Sequence, residues 1–169
     1  LHLGTANCQG EREGVYLLTR VSDRLGNDYR IIYNEYGFPE YVIDNLQRVI
    51  RFDILDLSTT EQPHRYRIQR ITLQPDDSSE VATGEVLVRY EYDENGDLSA
   101  VYDANGVLQR RFGYQNGVMI RHQNAAGLIA SYEYDQYTAQ GKVLRSHTNT
   151  GEEWYFAYHQ GHTAITDAL

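Results

Sequence analysis

Apolar and polar residues alternate along much of this chain with a period of two. In Arg89-Tyr90-Glu91-Tyr92-Asp93 the two Tyr fall on one side and the charged residues on the other. Ser131-Tyr132-Glu133-Tyr134-Asp135 repeats the arrangement, and Trp154, Phe156 and Tyr158 align in the same way. Alternation over roughly five to eight residues marks a strand with one face turned from water. No window offers apolar positions at the three-and-four spacing of a helix of useful length. The pattern therefore predicts strands alone.

The strands are punctuated at a regular beat. From residue 96 onward glycines fall at 96, 106, 117, 127, 141, 151 and 161, at intervals of 10, 11, 10, 14, 10 and 10 residues. The long interval holds the extra Gln136-Tyr137-Thr138-Ala139-Gln140, and earlier Gly26 and Gly37 stand 11 apart. Tyr33-Asn34-Glu35-Tyr36-Gly37, Tyr92-Asp93-Glu94-Asn95-Gly96 and Tyr102-Asp103-Ala104-Asn105-Gly106 share one phrase. Ser22-Asp23-Arg24-Leu25-Gly26 and Gln123-Asn124-Ala125-Ala126-Gly127 keep its Asp or Asn without the Tyr, and Asp44-Asn45-Leu46-Gln47 keeps the Asp without the Gly. An Asp or Asn side chain can bond its own backbone two residues on and start a turn, and Gly supplies the positive φ that closes it. Three turns carry Asn-Gly (95-96, 105-106 and 116-117), the strongest short hairpin signal. The turn signature thus comprises Asp23, Gly26, Asn34, Gly37, Asp93, Gly96, Asp103, Gly106, Gly117, Asn124, Gly127, Gly151 and Gly161.

Repetition at this spacing predicts tandem antiparallel hairpins in an open, twisted sheet of about a dozen strands. Residues 14–56 form a first block of hairpins and 86–169 a second. Between them, 57–85 holds the short strand 67–73 and polar, turn-rich stretches, with 74–85 expected to be a mobile loop. Residues 1–13 give no signal. Thr166-Asp167-Ala168-Leu169 reads as the first half of another turn, so the chain reads as a fragment.

Composition sharpens the picture at three points. Tyr supplies 15 of the aromatics against four Phe and one Trp, which suits a sheet face that is partly wet. A net charge of −9 argues against nucleic acid, since a phosphate-binding surface needs a basic stripe and the largest basic group is His64-Arg65-Tyr66-Arg67 with Arg70. No run of apolar residues is long enough for a membrane span, and the start carries no signal-peptide pattern.

Chemistry-bearing residues are sparse and ambiguous. His159-Gln160-Gly161-His162 holds two potential metal ligands without a third at fitting spacing, and reads as a turn with polar neighbours. His64, His122 and His147 stand isolated and read as surface residues. The carboxylate pairs Glu91/Asp93, Glu133/Asp135 and Asp76/Asp77 have glycosidase composition, but the first two recur at one repeat position, as a structural unit would produce. Asp93, Glu94, Asn95 and Asp97 offer oxygens for calcium without the spacing of a calcium loop. Cys8 has no neighbouring activator. The reading is no enzyme, no catalytic residue, no cofactor and no metal.

The phrases Tyr92-Asp93-Glu94-Asn95-Gly96-Asp97-Leu98 and Tyr102-Asp103-Ala104-Asn105-Gly106-Val107-Leu108 closely resemble the YD repeat of Rhs proteins. The stretch from Gly14 to Asn27 and that from Leu87 to Tyr114 look like the middle of a bacterial Rhs core, and the resemblance covers roughly 14–56 and 86–169. It implies a section of a β-shell wall that encloses a C-terminal toxin for delivery between bacteria, in many members by type VI secretion. The implied partners are the rest of the shell, the enclosed toxin and components of the secretion machine. The implied location is outside the producing bacterium. No Asp-Pro-x-Gly release motif is present. The rival reading is a surface adhesion module that binds glycans or proteins through the Tyr-rich face. An isolated wall section would also expose edges and a bare face, and so self-associate.

Overall fold

The computed structural model describes residues 2–4, 16–75 and 84–168. Cys8 and most of the lead-in 1–13, together with Asp76, Asp77 and most of the expected loop 74–85, lie outside them. The described residues form strands and turns with no helix. The strands are β1 (His2–Gly4), β2 (Leu17–Ser22), β3 (Asp28–Tyr33), β4 (Pro39–Asp44), β5 (Val49–Asp56), β6 (Tyr66–Leu73), β7 (Glu85–Tyr92), β8 (Leu98–Asp103), β9 (Leu108–Gln115), β10 (Val118–Asn124), β11 (Ile129–Tyr134), β12 (Val143–Thr148), β13 (Glu153–His159) and β14 (His162–Asp167). That is fourteen strands among the described residues where the beat predicted about a dozen. They lie in one open sheet in chain order.

The chain divides into two compact units, 1–89 and 90–169. In the first, β2 to β6 form antiparallel neighbours, with Arg20 opposite Arg30, Ile31 opposite Val42, Val42 opposite Ile50 and Phe52 opposite Ile71. Tyr36 and Phe38 pack their rings on Tyr66, at 6.2 and 4.8 Å between centroids. In the second unit β8 to β14 do the same, with Val101 opposite Arg110, Phe112 opposite His122, Tyr132 opposite Ser146 and Phe156 opposite Ile165. Thr166 and Asp167 close β14 by pairing with Tyr155 and Trp154, the place that Tyr102 and Asp103 hold at the end of β8. The carbonyl of Glu153 accepts the next amide, that of Ala168.

Within each unit, inter-strand contacts among the described residues run only between sheet neighbours. A sheet normally buries one face against a second layer, and among the described residues neither unit has one. Ala100 is the sole buried apolar residue among those described, with Asp44 and Thr72 the buried polar ones. Most strand positions are half-buried, covered by cross-strand neighbours alone. Trp154 stays 43% exposed and Ile165 59%.

Candidate functional site

The turns repeat one local device. Oδ1 of Asp93 accepts the amides of Asn95 and Asp97, each at 2.9 Å. The Asp93 amide donates to the Asp97 carbonyl and Gly96 N donates back to the Asp93 carbonyl, both at 2.9 Å. Asp103 holds Asn105, Gly106 and Val107 in the same way, as Asp23, Asn34 and Asp44 do for their own turns. Asn124 receives Leu128 N at 3.0 Å, and Thr148 substitutes a hydroxyl that accepts Glu152 N at 3.2 Å. This is a three-residue hairpin loop in which a residue at positive φ closes a type I-like turn. Gly26, Gly37, Gly96, Gly106, Gly117, Gly127, Gly151 and Gly161 all have φ between +75 and +95°. Gln47 takes that place in its turn at φ +62°.

The Asn-Gly pairs are not alike. Asn95 and Asn105 sit inside three-residue loops, and neither has positive φ. Asn116 (φ +52°) and Gly117 (φ +75°) are both left-handed and join β9 to β10, with Gln115 opposite Val118, as a two-residue loop requires. The insert after Asp135 is a wider turn. Asp135 Oδ1 accepts Lys142 N at 2.8 Å, and a Cβ on Gly141 would lie 1.9 Å from the Gln136 carbonyl oxygen.

At three places a Tyr ties its strand to the one before it. Tyr33, Tyr134 and Tyr158 donate their hydroxyls to the carbonyls of Leu18, Met119 and Val143, each at 2.8 Å and each fifteen residues back. A strand-former with a polar tip covers the neighbouring strand and satisfies a carbonyl at its far end. Tyr102 instead donates to Glu91 Oε2 at 3.0 Å. Asn side chains link neighbouring turns: Asn149 donates to the Gly127 carbonyl and accepts Ile129 N, both at 2.9 Å.

The densest polar cluster lies on β11 to β13, where Glu133 faces Arg145 and Arg145 faces Tyr155, while Ser131 faces His147 and His147 faces Glu153. Arg145 donates through Nη1 to Glu133 Oε1 at 2.6 Å and through Nε to Glu153 Oε1. Tyr155 donates to the same Glu153 oxygen at 2.5 Å. The Tyr155 hydroxyl and then the Arg145 guanidinium hold the Glu153 carboxyl below the usual carboxylate range, and that donation raises the Tyr155 phenol. His147 Nδ1 lies 3.9 Å from Glu133 Oε1 and is buried without a hydrogen-bond partner. Sequence spacing brought none of these five together, because the pairing depends on strand register.

Other sequence candidates are dispersed. His64 stands exposed at φ +63° in the β5–β6 loop. His122 stacks on Phe112, and its Nε2 lies 2.9 Å from Arg110 Nη1, a group that can only donate. The rings of His159 and His162 stack at 4.9 Å across the last turn. Among the described residues no three His, Cys, Asp or Glu are placed to hold one metal ion.

No family model matches the chain. Toxin protein Tse5 of Pseudomonas aeruginosa is 29% identical over 154 residues, 90% of this chain and 11% of that protein. Double-stranded DNA deaminase toxin A of Burkholderia cenocepacia strain H111 is 41% identical over 92 residues, 54% of this chain and 6% of that protein. The chain is homologous to Rhs-type polymorphic toxins. It thus spans about a tenth or less of the length of these Rhs relatives. Among solved structures, a crystal structure of TcdB2-TccC3-TEV aligns with a TM-score of 0.34 and 13% identity, over 78% of this chain and 10% of that one. The Tc holotoxin pore of Photorhabdus luminescens aligns with a TM-score of 0.28 and 10% identity, over 84% and 11%.

Proposed function

We propose that this chain is a structural section of an Rhs shell wall that shields a C-terminal toxin until delivery into a competing bacterium, with type VI secretion as the route. The observation that carries the reading is the uncovered sheet. Among the described residues hairpin follows hairpin in chain order while almost nothing is buried; strands with so little core of their own are stable as part of something larger. Its partners in this reading are the remaining shell and the enclosed toxin. The signature Asp, Asn and Gly residues set the turns, and the blocks 14–56 and 86–169 are successive stretches of wall. The polar cluster around Arg145 lies on an open face and acts as cross-strand glue, so the chemistry of the deaminase relative is assigned to another part of that protein.

Limited proteolysis of the full-length protein tests this. The region C-terminal to the chain should resist cleavage in the intact protein and become sensitive when Gly96→Val and Gly106→Val open the wall. Equal cleavage in both forms would overturn the proposal. The exposed Tyr29, Tyr36, Trp154 and Tyr158 favour the second reading, a glycan- or protein-binding surface. Saturable binding of the chain to a glycan array, lost on Trp154→Ala, would establish that reading instead.

A further inference from the structure

The three Asn-Gly pairs share a sequence and differ in one atom's surroundings. At 95-96 and 105-106 the glycine nitrogen donates to the carbonyl of Asp93 or Asp103, at 2.9 and 3.0 Å. The carboxylates of those Asp also hold the amides of Asn95, Asp97, Asn105 and Val107. At 116-117 there is no Asp three residues before the glycine, since that position is Tyr114. Among the described residues Gly117 N donates to no protein group, and both turn residues are exposed. The one bond to the Asn116 side chain is long, from Nδ2 to the Tyr137 carbonyl at 3.4 Å.

We propose that Asn116 is a site of spontaneous deamidation in the folded chain, with Asn95 and Asn105 protected by their turns. The Gly117 nitrogen loses its proton to solvent base and attacks Cγ of Asn116, forming a five-membered imide. The bond from Cγ to the side-chain nitrogen breaks, and ammonia leaves with a proton from solvent. Water then opens the ring at either carbonyl, giving Asp or isoaspartate. No oxidant or further reactant enters. Glycine removes the side chain that hinders attack, and an amide bound to no acceptor is free to react. At the other two pairs the attacking nitrogen is bound and the loop is held by three bonds to one Asp. Each such bond slows opening by roughly two- to twelvefold.

The product has a structural consequence. Isoaspartate adds a backbone atom to a two-residue loop, and loop length fixes the register between β9 and β10. Either product also adds a negative charge to a chain already at −9. Conversion at this turn therefore loosens one hairpin as the protein ages.

The test is ageing of the full chain in mildly alkaline buffer, followed by peptide mapping of acid and isoaspartyl products at all three sites. Asn116 should convert at least about tenfold faster than Asn95 or Asn105, as several protecting bonds predict. In denaturant the three rates should converge. Folded Asp103→Ala, with its strand circular dichroism retained, should accelerate Asn105 alone. Equal rates at Asn105 and Asn116 in the folded chain would overturn the proposal. So would a stable Asn116, or an Asn105 that Asp103→Ala leaves unchanged.

Discussion

Replacing Gly106 isolates the cost of backbone conformation from that of packing. The residue has φ +75°, and a Cβ added there meets nothing within 4 Å, so a substituted side chain collides with nothing beyond its own backbone. A left-handed conformation costs an ordinary L-residue roughly 1–2 kcal/mol. Against this, replacing Gly restricts the unfolded chain and returns about 0.4–1 kcal/mol. Gly106→Ala should therefore destabilise by about 1 kcal/mol. Gly106→Val should cost more, up to about 3 kcal/mol, while Gly106→Asn should cost least because Asn visits this region readily. Gln47 supplies the mirror experiment. It occupies the corresponding place at φ +62°, donating its amide to the Asp44 carbonyl at 3.0 Å. Gln47→Gly relieves the strain, loses an exposed bond from Arg30 to the Gln47 side chain, and frees the unfolded backbone. The balance is a gain of about 0.5 kcal/mol. Urea unfolding followed by circular dichroism reads both changes as midpoint shifts at constant slope. Because repeat arrays can open piecemeal, exchange of the Val107 amide, which Asp103 holds at 3.0 Å, gives the local readout. A midpoint indifferent to Ala, Val and Asn at 106, or a loss at Gln47→Gly equal to that of Gly106→Ala, would refute the turn account.

Tyr134→Phe removes the hydroxyl bonded to the Met119 carbonyl and should cost about 0.5–1.5 kcal/mol in the same assay; no change would show that the tie is dispensable. The chain should weaken in acid. Donation from the Asn27 side chain to Asp23, and from Ser58 to Asp56, holds both carboxyls below the usual range. At Asp44 burial pushes upward, but Arg48 and the Leu46 amide outweigh it. Depressed folded values mean stability complete above the unfolded carboxylate range, about pH 4, and lost as pH falls through the lower folded values; a melting temperature flat across that window would contradict this. Elemental analysis should find no stoichiometric metal, and one zinc per chain lost on His159→Ala would reverse that expectation.

The sheet was legible because its information is local. An Asp or Asn three residues before a Gly specifies a turn through bonds that span two and four residues, and alternation fills the space between. The Asp was the stronger sign, since Asp44 folds its turn with Gln47 in the glycine position. Asn-Gly marks a hairpin without fixing its loop length. An Asp upstream captures the amides and widens the loop to three, leaving 116-117 as the two-residue case. The cluster of Glu133, Arg145, His147, Glu153 and Tyr155 was not legible, because its members meet only once the register of β11, β12 and β13 is set. A bulge between Glu133 and Tyr134 enters that register, and no local residue pattern announces it. Strand alternation alone did not announce the uncovered faces; the expectation of a bare face came from the family resemblance. Half-buried alternation reads the same whether a second layer covers the sheet or only neighbouring side chains do.

The most direct test of the central claim is a cryo-electron microscopy structure of the full-length protein that contains this chain. The account predicts that β2 to β14 run in chain order as one stretch of a continuous hairpin wall, with one face covered by an enclosed C-terminal region. A chain standing apart from any wall, with both faces in solvent and the C-terminal region outside, would contradict it.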